Sequence, residues 1–394
     1  MRSNQVLSLV LALTFVLAAC SPTATEPPAP ATVPPADATT EPAAAFPIGR
    51  FAAVNSEGEA YQFREDGAFE YYYGSGMDPV FEGLYSVDGD RLTVNNPAET
   101  SPQCKGEATY QWFFVAGKLT FFPTGEDTCE PRSNSFSQTY VPDTDYIPEM
   151  KISARDFSYI APKSVRSGWV RVILTNSGTE PHHVQFLRLN DGVTVAQFEE
   201  ALKQGEGPAL AMTKQVGGVG AVHPGGVAQA VLNLPAGEYV LLCFIPSPSD
   251  SVAHHAKGML KSLTVRDESG HGNEPSADLT LKLKDFAFEM PESLSAGPLT
   301  IQVSNEGPEP HEFNILRLEE GKTVSDVMAF LNGGGGPPPF APVGGMNGLD
   351  VGAVGYAELN LTPGTYVAIC NIPSPKAEGH PHFTLGMIKQ FTVQ

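Results

Sequence analysis

The chain is short of positive charge. Its 24 Lys and Arg stand against 44 Asp and Glu, a formal net charge of −20. Such a surface repels phosphate backbones and anionic lipid, which excludes nucleic acid as the main partner and suits a basic one. Charge of either sign is sparse, at 17% of residues against 41% apolar. That balance excludes disorder throughout and makes a packed core feasible. Long apolar runs are also lacking: past the first twenty residues, no stretch is long enough to cross a membrane. Signatures of common catalysis are missing. No Gly-x-Ser-x-Gly or His-Glu-x-x-His occurs, and Gly333–Gly336 lacks the Gly-Lys-Ser/Thr that a phosphate loop needs. What is plentiful is Gly (39) and Pro (35), which favours short strands and turns over long helices.

Arg2 precedes an apolar run from Val6 to Ala19, which has the length of a signal-peptide core. The run ends Leu17-Ala18-Ala19-Cys20 and resembles the bacterial lipobox. That resemblance implies a signal peptide over 1–19, lipid on Cys20 and an extracytoplasmic place at the bacterial cell membrane. Residues 20–46 are nearly all Pro, Ala, Thr, Ser, Glu and Asp, and read as a tether. At ~3.1 Å per residue it reaches up to ~80 Å.

Four further cysteines remain. Cys104 and Cys129 lie in one region and are expected to pair, since an exported chain meets an oxidising compartment. Cys243 and Cys370 sit in matching contexts, Tyr-Val-Leu-Leu-Cys-Phe-Ile-Pro-Ser-Pro and Tyr-Val-Ala-Ile-Cys-Asn-Ile-Pro-Ser-Pro. Equivalent positions of two repeats rarely meet, so these thiols call for another explanation.

Residues 47–145 hold short aromatic segments separated by turn signals such as Glu65-Asp66-Gly67 and Asp88-Gly89-Asp90, the pattern of an antiparallel meander or small barrel. Gly83-Leu-Tyr-Ser-Val-Asp-Gly-Asp-Arg-Leu-Thr, Cys104, Tyr110-Gln-Trp112 and Asp127-Thr-Cys129 loosely resemble small bacterial lipocalin-like domains. The aromatics read as core rather than as a ligand pocket.

Residues 149–267 and 278–394 are copies of one another, offset by 127 to 129 positions. Asp156-Phe157 matches Asp285-Phe286, and Asn176-Ser-Gly-Thr-Glu-Pro-His182 matches Asn305-Glu-Gly-Pro-Glu-Pro-His311. Alternating apolar segments predict a β-sandwich in each copy, with one helix after Thr194 and one after Thr323. The matched runs Gly217-Gly218-Val219-Gly220 and Gly344-Gly345-Met346 read as tight turns near the site, and His223 and His271 as solvated surface.

Each copy places one His early and a Cys–His–Met run late: His182, Cys243, His254 and Met259, then His311, Cys370, His382 and Met387. His255 and His380 compete for the place of the late His, and counting back from Met favours His254 and His382. Two imidazoles, a thiolate and a weak axial thioether form the trigonal set that suits copper electron transfer. On this ligand set both copies resemble cupredoxins, the blue copper family. The resemblance implies an all-β architecture, Greek-key sandwiches behind the N-terminal β domain, with a type 1 copper site in each. Many family members carry Asn after the first His; here His183 and Glu312 stand there, a departure that bears on potential and copper affinity.

The residues beside the thiolates are Leu242, Phe244, Ile369 and Asn371, not the His that wires a second copper centre in multicopper oxidases and nitrite reductases. The expectation is therefore a non-enzymatic electron carrier with a basic redox partner protein and a lipid anchor. The alternatives are copper binding or delivery without electron transfer, and a copper-free scaffold module.

Overall fold

The computed structural model describes residues 45–74, 76–97, 104 and 106–394. The signal run, Cys20 and the tether through residue 44 lie outside the described residues. Among the described residues no helix is long and apolar enough to cross a membrane.

Eight strands come first: Gly49–Ala53, Glu59–Phe63, Ala68–Tyr73, Phe81–Asp88, Arg91–Asn96, Gly106–Val115, Lys118–Pro123 and Thr139–Pro142. Each pairs antiparallel with its neighbours in sequence, and the last closes on the first. Strand alternation turns every second side chain inward. Here the inward ones are rings, with Tyr61, Phe63, Phe69, Tyr110, Trp112, Phe121 and Tyr140 all buried. Phe136, capping the short helix Glu130–Ser135, stacks on Tyr110 at 4.4 Å and packs on Tyr61 and Phe121. The barrel is thus filled by its own side chains. It also begins earlier than the composition suggests, because Phe46 packs edge-on against Phe63 and Trp112. Cys104 and Cys129 form the disulfide, which ties that helix to the approach to Gly106–Val115.

Each copy is a sandwich of two sheets. In the first copy, one sheet runs Ser158–Ile160, Glu149–Arg155, the later part of Ser164–Asn176, then Val227–Leu234. The other runs from the start of Ser164–Asn176 through Leu260–Ser269, Gly237–Leu242 and His182–Leu189 to Thr213–Val222. Ser164–Asn176 changes sheets at a bulge beside Gly168, whose φ of 111° suits glycine. The second copy repeats this order. Capping boxes at Thr194 and Thr323 start the helices Val195–Gln204 and Val324–Leu331.

Both sheets continue from one copy into the other. Thr213–Val222 pairs antiparallel with Phe340–Leu349, and Val227–Leu234 with Val354–Leu361. Val219 stands opposite Met346 and Ala230 opposite Ala357, each residue facing its own equivalent. A pseudo-two-fold axis therefore passes through the joint, and one continuous core lies beneath it.

Two expectations are corrected here. The glycine runs Gly217–Gly220 and Gly344–Gly345 are not tight turns but the middles of these joining strands. A Cβ on Gly218 would sit 2.0 Å from the Val184 carbonyl oxygen, and one on Gly345 2.0 Å from that of Phe313. Close backbone approach requires glycine there, and the glycines hide the strand's apolar alternation. His271 is not simply solvated. Its Nε2 lies 2.8 Å from Glu70 of the barrel, which also accepts from Arg166 at 2.9 Å and from Tyr72 at 2.6 Å. One buried carboxylate thus joins the barrel, the first copy and the segment between copies.

Candidate metal centres

His182 opens the strand His182–Leu189, and Cys243 directly follows Gly237–Leu242. These strands are neighbours, so register brings the imidazole and the thiol together. The chain then loops out and returns in a short 3-10 turn, His254–Lys257, ended by Gly258 at φ 109°. This left-handed residue reverses the chain so that Met259 falls opposite Cys243, whose N–H donates to the Met259 carbonyl. The second copy does the same with His311, Cys370, His382, Gly386 at φ 114° and Met387.

The structure brings together His182, Cys243 and His254, and separately His311, Cys370 and His382, with each group's candidate ligand atoms within 4.8 Å of one another. Nδ1 of His182 lies 3.1 Å from Nδ1 of His254, and the latter 3.4 Å from Cys243 Sγ. The corresponding distances in the second copy are 3.0 and 3.3 Å. All six side chains, and both methionines, are fully buried. His255 instead bonds Glu206, and His380 is exposed.

The Nε2 atoms face carboxylates: His182 to Asp156 at 2.6 Å and His254 to Glu180 at 2.8 Å, His311 to Asp285 at 3.1 Å and His382 to Glu309 at 3.2 Å. An ionised carboxylate only accepts, so each Nε2 carries the proton and each Nδ1 presents a lone pair. Two lone pairs facing one another at about 3 Å in a buried pocket, with a thiol beside them, form a site for a cation. The soft thiol and imidazoles fit copper.

Burial pushes the Cys243 thiol up to about 12 and raises Cys370 as well, so a bound metal must displace the thiol protons. Burial also lowers His182, His311 and His382, which keeps them neutral and ready to ligate. Against the pull of burial, hydrogen bonds from Thr179 and His182 hold Asp156 down at about 2.

His183 and Glu312, the departures after the first ligand His, share one task. His183 Nε2 accepts the N–H of Phe244 at 2.8 Å, and Glu312 Oε1 that of Asn371 at 2.7 Å. Each grips the residue after the thiol. Burial takes His183 down to about 3, so it is a neutral acceptor.

The sequence reading missed the acids Asp156, Glu180, Asp285 and Glu309 as site residues. They stood in view inside the repeated Asp-Phe and Glu-Pro-His motifs, which served only to align the copies. Asn176 and Asn305 shape the turn before the first His by bonding the carbonyls of Glu180 and Glu309. Gly178 and Gly307 leave room for the ring, since a Cβ at either would lie 2.6 Å from Nε2 of the following His.

The two centres are separate. His182 pairs with Val222 and His311 with Leu349, on opposite sides of the pseudo-two-fold axis. At about 3.3 Å per residue and about 4.8 Å per strand, the two histidines lie roughly 24 Å apart.

No protein-family model matches the chain, and no curated protein does. Solved structures match parts of it. Dithionite-reduced auracyanin from Roseiflexus castenholzii is 23% identical over 30% of this chain and 96% of its own, at a TM-score of 0.20. A multicopper oxidase is 17% identical over 63% and 89%, at 0.20. A copper nitrite reductase from Nitrosomonas europaea is 12% identical over 63% and 94%, at 0.19. The two-sheet sandwich of each repeat, with its ligand set between the two neighbouring strands and the closing loop, agrees with the cupredoxin-like fold expected from the sequence. The expectation of a protein that is no enzyme is corrected: the solved structures that match include an oxidase and a nitrite reductase, which are enzymes. The residue beside the thiolate speaks only to one way of wiring a second copper.

Proposed function

We propose that the chain is an electron-transfer protein holding one type 1 copper in each cupredoxin-like repeat, tethered by lipid on Cys20 outside the cytoplasm. The observation that carries this is the doubled convergence of two imidazole Nδ1 atoms and a thiol in buried pockets, each with a Met on the closing loop. Copper bound there supplies one-electron chemistry. The protein's part is to fix the ligands. The paired strands hold His182 and Cys243, the 3-10 turn holds His254, and carboxylates fix the tautomers. A frame that cannot relax between the preferences of the two oxidation states keeps reorganisation small, and burial excludes water. The acidic surface favours a basic redox partner protein at moderate salt.

The experiment is copper loading of the purified chain with visible absorption. Intense blue colour with two coppers per chain supports electron transfer, colourless Cu(I) binding supports delivery instead, and no uptake by folded protein supports a copper-free scaffold. For the anchor, Cys20→Ser should move the protein from the membrane to the soluble fraction; a wild type that is already soluble and unlipidated would contradict it.

A further inference from the structure

Each centre has an acid that reaches from one arm of the site to the other. Glu180 lies two residues before His182, yet its side chain goes to His254 on the closing loop. Glu309 lies two residues before His311 and goes to His382. Both acids are fixed at several points. Asn176 Nδ2 donates to the Glu180 carbonyl at 2.8 Å, and Ser247 Oγ, itself buried, donates to Oε1 at 2.8 Å. Asn305 donates to the Glu309 carbonyl at 2.8 Å, and Lys376 Nζ lies 3.1 Å from Oε1. The acids also cover the loop histidines, which have no exposed surface.

We infer that Glu180 and Glu309 are positioning residues that set the reduction potential of the two centres, each through the Nε2–H of the loop histidine. A carboxylate on Nε2–H makes the ring a stronger donor and adds negative charge near the metal. Both effects favour Cu(II), the more highly charged state, over Cu(I), and so lower the potential. Asp156 and Asp285 hold the other ring of each site; Glu180 and Glu309 tie the ligand His of the loop arm to the strand arm. This inference rests on the copper reading above.

The test uses the full chain with one centre disabled. In Cys370→Ser protein, Glu180→Gln keeps the acceptor and shape but removes the charge, and Glu180→Leu removes both. Glu309→Gln and Glu309→Leu do the same in Cys243→Ser protein. Removing such a partner should weaken Cu(II) binding by about 10–100-fold, with Leu worse than Gln. Each tenfold loss confined to Cu(II) should raise the potential by about 59 mV. Glu180→Asp, which retains the charge, should shift the potential less than Gln. In metal-free protein, nitrogen-15 shifts of His254 should report the Nε2–H tautomer in the parent and a mixture in the Leu variant. Copper-loaded Gln and Leu variants at the parent's potential and affinity would overturn the inference alone. A parent that takes up no copper would overturn the functional reading and this inference with it.

Discussion

Val219 and Met346 face each other across the joint, and each occupies the other's position in its own repeat. The two copies are thus fused as a symmetric dimer is, through the same patch on both. Each of these joining strands lies so close to its neighbour within its own repeat that glycine is obligatory. Gly345→Ala should cost about 3 kcal/mol or more, since its Cβ would drive into the Phe313 carbonyl at a φ of 116°. Gly89→Ala, at φ 60° with nothing within 4 Å, should cost only about 1–2 kcal/mol. Thermal unfolding of both variants checks the contrast.

The carboxylate of Glu70 predicts a loosening in acid. Burial opposes its charge, but hydrogen bonds from His271, Tyr72 and Arg166 prevail and hold it at about 2. A carboxylate depressed in the folded state contributes stability above its unfolded value, about 4.3, and loses it as pH falls toward 2. About 2–3 kcal/mol should disappear across that window. Glu70→Gln should flatten the dependence while lowering stability at pH 7, because Arg166 is left buried beside a neutral partner. Chemical denaturation between pH 2 and 7 measures both effects.

Copper uptake should be pH-dependent, because the buried thiols are protonated without metal. With the Cys243 thiol near 12, each copper displaces one thiol proton throughout the neutral range. His182, lowered by burial, adds little above pH 7. Cu(II) affinity should therefore rise by about tenfold per pH unit from 7 to 9 in chelator competition.

The grips on the residue after each thiol should matter to the metal. Glu312→Leu leaves the Asn371 N–H without its acceptor, and His183→Leu does so to Phe244. Each should weaken copper at its own centre by about 10–100-fold and leave the other unchanged. Met259→Leu and Met387→Leu should act differently, keeping copper while shifting the potential, because a thioether on the axis binds weakly. Copper titrations in single-centre backgrounds separate the two classes.

The repeat, the sandwich and the capped helices were legible in the sequence because each leaves a local pattern: a constant offset, alternation, and Thr with Gln197 or Asp326 three residues on. The ligand types were legible too, because metal chemistry restricts the residues that can serve. The joining strands were not. Gly217, Gly218 and Gly220 erase alternation, and the reasons for them lie away in sequence: Gly218 faces the Val184 carbonyl on the next strand of its own repeat, and Gly217 and Gly220 face Met346 and Gly344 across the joint, more than a hundred residues on. Asp156 and Glu180 were hidden for a similar reason: an acid in a turn reads as solvated charge until the fold brings an imidazole to it. His271 waited on Glu70, 201 residues distant.

The most direct test is to count copper after removing one thiol at a time. Every side chain needed for a centre comes from within one repeat, and strand register puts His182 and His311 roughly 24 Å apart. Cys243→Ser should therefore lose one of two coppers and about half the blue absorption, leaving the centre at Cys370 intact, and Cys370→Ser should do the converse. Loss of all copper from either single substitution, or no copper in folded wild type after loading, would contradict two independent type 1 centres.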